Sequence, residues 1–133
     1  MSDNNGLLSL QSRVSAKETL DRLLAALAKR KLTVFARVDH AAGATSVGLP
    51  LRPTEVVMFG NPKGGTALMQ DRQSTGIDLP LKALVWEDAG GKAWFTYNDP
   101  AWIAERHGLG TASAMAVKAM AELLSAIAQE ATQ

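Results

Sequence analysis

A chain of 133 residues, 47% apolar and 20% charged, is long enough to bury one core and is expected to form a single domain over 1–133. Its 14 basic residues against 13 acidic leave a net charge of +1, which excludes the electrostatic footprint of a nucleic-acid or anionic-membrane partner. The absence of cysteine excludes disulfides, thiolate metal sites and cysteine nucleophiles.

Met1 to Gly6 is polar and lacks the basic-then-apolar pattern of a signal peptide. No stretch approaches the ~18 apolar residues of a membrane span, so a cytoplasmic protein is expected. Leu7 to Arg13 alternates as a first strand. Ser15-Ala-Lys-Glu18 is a capping box, and Leu20, Leu23, Leu24 and Leu27 follow helical spacing behind it. This predicts a helix from Ser15 to Arg30, with the basic run Lys29-Arg30-Lys31 complementing its C-terminal dipole. Leu32 to Asp39 returns to period two. His40 to Pro53, with two glycines and two prolines, is a connection carrying one short helical turn.

Thr54 to Phe59 is the third strand. Asn61-Pro62 opens a short helix, asparagine as N-cap and proline at the first helical position, and this helix ends before Thr75-Gly76. Leu81 to Asp88 and Lys92 to Asn98 are strands joined through Ala89-Gly90-Gly91 as a hairpin. Asp99-Pro100 repeats the cap-then-proline device for a helix ending at Gly108. A last helix from Thr111 to Gln129 carries Val117, Met120, Leu124 and Ile127 on one stripe. The order predicts an α+β fold: a mainly antiparallel sheet with helices on one face.

Gly60-Asn-Pro-Lys-Gly-Gly65-Thr66 has the G-x-x-x-x-G spacing of a phosphate loop, but threonine follows where lysine is required. Lys63 is three residues early, and Pro62 removes a backbone donor. A strand ending in Glu87-Asp88 imitates a magnesium site, yet a Gly-Gly hairpin follows where a nucleotide-binding fold has a crossover. A nucleoside triphosphatase is therefore excluded. Two readings of the segment remain. Its helix N-terminus and Lys63 hold an anion, or Gly64 and Gly65 simply permit close packing.

His40 and His107 are the two histidines, with Asp39, Glu55, Glu87 and Asp99 as conceivable carboxylate partners. No catalytic constellation is visible, and no cofactor or metal is expected. Of the aromatics, Trp94 or Trp86 is expected to be largely buried. Phe35, Trp86 or Tyr97 is expected to line the sheet face that the helices leave open.

The blocks LRPTEVVMFGNPKGGTALM, GIDLPLKALVWED and YNDPAWIAERHGL together resemble domain-of-unknown-function family 302, over almost the whole chain. The resemblance implies a TATA-binding-protein-like β-α-β(4)-α arrangement and commonly a homodimer. It implies no activity, because likeness of fold is not likeness of function. Where the family has a bulky residue after Lys63-Gly64, this chain has Gly65, which is expected to loosen the loop.

The resulting expectation is a dimeric module that binds a small ligand or anion through Asn61, Lys63, Gly64, Gly65 and Thr66, with Arg52 and His107 nearby. Neither nucleic acid nor membrane is an expected partner. The alternatives are a protein-interaction module, or an enzyme built on a histidine–carboxylate pair. The dimer is expected to bury at least ~1,000 Å². Phe35 and Tyr97 on the open sheet face supply it, or else the small residues Ala116, Ala119 and Ala126 of the last helix.

Overall fold

In a computed structural model, which describes residues 5–133, the first strand β1 (Leu7–Gln11) is followed by Ser15, whose hydroxyl accepts the Glu18 amide at 3.0 Å. That cap starts α1 (Ala16–Lys29). The second half of the expected capping box is replaced by an ion pair, since Glu18 reaches Arg22 at 3.0 Å. The polar segment 1–4, part of the region that carried no signal-peptide pattern, lies outside the described residues.

Next come β2 (Thr33–Asp39) and the short α2 (His40–Ser46), which Asp39 caps by accepting the Ala42 amide at 2.9 Å. After them follow β3 (Thr54–Gly60), α3 (Pro62–Asp71) and a 3₁₀ turn over Gln73–Asp78. The hairpin strands are β4 (Leu81–Glu87) and β5 (Ala93–Asn98). Asp99 and Pro100 start α4 (Pro100–His107), and Gly108 ends it in the left-handed conformation at φ 66 that favours glycine. The predicted last helix divides into a 3₁₀ turn at Thr111–Ser113 and α5 (Ala114–Thr132).

The five strands form one antiparallel sheet in the order β1-β5-β4-β3-β2. Setting aside the short helices, the element order is β-α-β(4)-α, with α1 and α5 packed against each other and against the sheet. Val57, Phe59, Ala83, Val85, Phe95 and Tyr97 point from the strands into Leu23, Leu27, Leu124, Ile127 and Ala128 of these helices. Alanines at 128 and 131 let α5 lie close to its neighbours.

Two expectations need correction. Tyr97 is 7% exposed and belongs to the covered face, where its ring meets Phe95 edge-on at 5.9 Å. Phe35 also leaves the open face. The β2–β3 register shifts between Val34 and Ala36, and this bulge carries Phe35 to the side of Phe59. Trp86 and Trp94 are partly exposed, each still mostly covered, in keeping with the expectation that one of them is largely buried. Trp86 does lie on the open face as expected, directly opposite Trp94 and stacked on it at 6.0 Å. Their indole N–H groups donate to Thr96 Oγ1 (2.9 Å) and Asp88 Oδ2 (2.8 Å).

One point of composition also changes. Thr111–Thr132, with mean hydropathy 1.3, is long and apolar enough to cross a membrane. Alanine supplies that hydropathy without large side chains, so the stretch escapes a search for bulky apolar runs. Here its stripe of Met120, Leu124, Ile127, Ala128 and Ala131 is buried against α1 and the sheet, while 28% of the apolar window as a whole is buried.

Candidate functional site

β3 runs directly into α3, and the chain turns between them at Gly60, whose φ of 154 a side chain would rarely tolerate. Asn61 then caps the helix. Its Oδ1 accepts the amides of Lys63 (2.8 Å) and Gly64 (3.2 Å), and Pro62 needs no partner for the donor it lacks. Behind this turn α3, the end of β3, the start of β4 and the middle of α5 fail to close completely. A cavity of about 310 Å³ remains.

Phe35, Phe59, Met69, Leu79, Met120 and Leu123 supply its main apolar walls. Glycines at 60, 64, 65 and 76 complete the lining where side chains would fill it. An added Cβ at Gly65 would stand 3.6 Å from Leu79 Cδ1, so the glycine helps keep the cavity open. Gly65 is therefore part of a helix at the cavity wall, not of a loosened loop. Asn61 and Thr66 are the polar side chains among the described lining residues.

The residues expected to form the site separate into three places. Asn61, Gly64, Gly65 and Thr66 line the cavity. Lys63 shares their turn but is exposed and not part of the lining. Arg52 is exposed before β3 and donates from Nε to the Glu87 carbonyl at 3.1 Å. His107 is held elsewhere, at the end of α4. Its Nδ1 lies 2.8 Å from Ser74 Oγ and its Nε2 lies 2.6 Å from Asp78 Oδ2.

Asp78 also receives Arg106, whose NH1 is 3.0 Å from both carboxylate oxygens, while the guanidinium carbon stands 5.7 Å over the Trp102 ring. Asp78 was absent from the carboxylates considered with the histidines. Of those considered, Asp39 caps α2, Asp99 caps α4 and Glu55 takes Arg37 at 2.7 Å. His40 is exposed at the start of α2. Among the described residues no group of three or more histidine or carboxylate side chains converges as a metal site.

Nearby charges are shaped by the same packing. Ser113 Oγ and the Gly110 amide donate to Asp71 at 2.7 and 3.0 Å and hold its carboxyl below the usual range. Burial pushes the Lys82 ammonium down, opposed by the negative field of Asp78.

The family described as "Domain of unknown function DUF302" matches residues 8–129. The chain belongs to the DUF302 family. A crystal structure titled as an uncharacterized conserved DUF302 protein from Bacillus stearothermophilus superposes with a TM-score of 0.83 at 16% identity. It covers 97% of this chain and 99% of that one, and supports the DUF302 fold alone. Two curated relatives are 53% identical over 117 residues, 88% of this chain. They are "Fluoride-specific ion channel FluC 1" of Brucella suis biovar 1 and "Fluoride-specific ion channel FluC 2" of Brucella melitensis biotype 1. The DUF302 chain spans 46% and 43% of these two proteins, less than half of either.

Proposed function

We propose that this chain is a cytoplasmic, dimeric module that binds a small ligand in the cavity at the start of α3. The observation that carries the reading is an apolar cavity of about 310 Å³ held open by glycines. That is the low end of the size range of small-molecule sites. The lining favours a ligand with an apolar body and one polar end, set beside Asn61 and Thr66. An anion finds less support, since Asn61 already takes two of the helix-start amides and Lys63 stands outside the lining.

A thermal-shift panel of small aromatic and medium-chain aliphatic compounds tests the proposal. A ligand at a hundredfold excess over its dissociation constant adds about 2.7 kcal/mol of stability. Gly65→Leu, which fills the cavity, should abolish the shift. A flat panel, or equal shifts in the variant, would overturn the reading.

The dimer is supported by the open sheet face. Leu84, Trp86, Val56, Met58 and Trp94 lie there by register, partly exposed and outside the core cluster that the helices cover. Burying at least ~1,000 Å² in total is the size such an interface requires. Light scattering should give twice the 14.1 kDa chain mass, falling to one chain in Trp86→Lys. A single-chain mass for the wild type sinks this part. The likeness to the TATA-binding protein we take as one of element order, and a net charge of +1 speaks against DNA. The channel name of the Brucella relatives is not carried over. The match covers less than half of each, and one face of the long apolar helix found among the described residues is engaged with α1 and the sheet.

A further inference from the structure

Ser74, His107 and Asp78 form a linked hydrogen-bonded chain that the ligand cavity does not use. Ser74 and Asp78 are four residues apart on the same 3₁₀ turn, and His107 enters between them from the end of α4. Asp78 is paired with Arg106, so its oxygens act as acceptors, and the imidazole proton must sit on Nε2. The same tautomer leaves the Nδ1 lone pair 2.8 Å from Ser74 Oγ, where it accepts the hydroxyl proton. The histidine side chain is 7% exposed and the Asp78 side chain 15%, whereas Ser74 is exposed. A shielded base oriented by a carboxylate thus faces a serine that solvent and solutes can reach. Arg106, lying over Trp102, fixes the carboxylate in turn.

We propose that Ser74 is a nucleophile, with His107 as its general base and Asp78 as the positioning residue, acting on carboxylic esters presented from solvent. The relation is that of a serine–histidine–carboxylate triad with the ring turned over, Nδ1 instead of Nε2 serving the serine. Ser74 Oγ bonds to the acyl carbon as its proton passes to His107 Nδ1. The bond from that carbon to the ester oxygen breaks, and the alcohol leaves with the proton. Water then gives a proton to Nδ1 and adds to the acyl carbon. The carboxylic acid departs and Ser74 recovers its hydrogen.

The experiment is labelling with a fluorophosphonate probe, in which Ser74 Oγ displaces fluoride from phosphorus. One label per chain, mapped to Ser74 by mass spectrometry and lost in Ser74→Ala, is expected. Labelling in His107→Gln should be slower by about 10²-fold or more, the usual share of a general base. Ser125→Ala, at an exposed serine on α5, should label as the wild type does. If His107→Gln does not fold, the wild-type pH profile decides, with a rate that rises as the imidazole loses its proton supporting the proposal. No labelling above the heat-denatured background, label on another residue, an undiminished rate in folded His107→Gln, or a flat pH profile would overturn it. Ligand binding in the α3 cavity is read separately through Gly65→Leu, so either idea fails without the other.

Discussion

Replacing Gly65 by alanine should stabilise the protein, and the size of the gain follows from two terms. Gly65 is the fourth residue of α3 and lies inside a regular helix. In a helix interior alanine is favoured over glycine by about 0.8–1.0 kcal/mol, chiefly because glycine loses more backbone entropy on folding. The new methyl would stand 3.6 Å from Leu79 Cδ1 and 3.9 Å from Met69 Cε, ordinary contact distances that demand no movement. Fully burying a group of that size adds about 0.8 kcal/mol, and this half-buried wall should return part of it. The sum is about 1.5 kcal/mol. An unfolding entropy of about 2.1 cal/mol/K per residue over 133 residues is about 0.28 kcal/mol/K, so Tm should rise by about 5 °C. Thermal unfolding followed by circular dichroism measures it. Gly43→Ala separates the terms, because nothing lies within 4 Å of a Cβ there and only helix propensity acts. A Gly65→Ala midpoint at or below the wild type, with Gly43→Ala raised, would refute the claim that the cavity wall has room.

Asn61→Ala removes the acceptor for two amides of α3 and should cost about 1 kcal/mol, read as a lower urea midpoint at unchanged m-value. Thr19 is fully buried, and its hydroxyl donates within reach of Ser12 Oγ (2.6 Å) and the Ser15 carbonyl (2.7 Å). Thr19→Val keeps the shape but strands those partners, and chemical denaturation should show a loss of about 1–3 kcal/mol. Glu130 is held at a pKa of about 2, first by its hydrogen bond from Arg30 and then by that from Lys29. A depressed carboxyl stabilises the fold above its ordinary pKa of 4.5, and that contribution disappears as pH falls toward 2. Stability profiles of wild type and Glu130→Gln should therefore converge at the acid end of that window, and parallel curves would contradict the pairing.

What could be read from the chain was what a few neighbouring residues decide. Asn61-Pro62 and Asp99-Pro100 announce helix starts because a cap is a contact within three residues, and both side chains do accept the following amides. The Gly90-Gly91 hairpin is local in the same way. Which side of a strand faces inward is not local. Alternation separates Ala93, Phe95 and Tyr97 from Trp94 and Thr96, but it does not say which set meets the helices. The bulge that redirects Phe35 leaves no periodic trace in a strand that is mostly exposed on both sides. The site residues dispersed for a related reason. Asp78 and His107 are 29 residues apart and meet only because α4 folds back on the 3₁₀ turn. Asn61 to Thr66 stayed together because one helix carries them.

The strand that is made first occupies a place beside the strand that is made last, and this has a kinetic consequence. Ser9 and Thr96 touch across 87 residues of chain, whereas Trp86 and Thr96 of the hairpin touch across ten. Closing the larger loop costs about 2 kcal/mol more entropy by the logarithmic law. The strands β2 to β5 follow one another as neighbours, and that meander can assemble from short closures. β1 and α1 must wait for it, although they leave the ribosome first. Lys29 on α1 reaches its partner Glu130 only across 101 residues, so the amphipathic helix spends synthesis with its leucine face unmatched. Among domains of this size such a topology belongs with the slower folders, and its exposure to wrong partners is set by how long that first helix stays waiting.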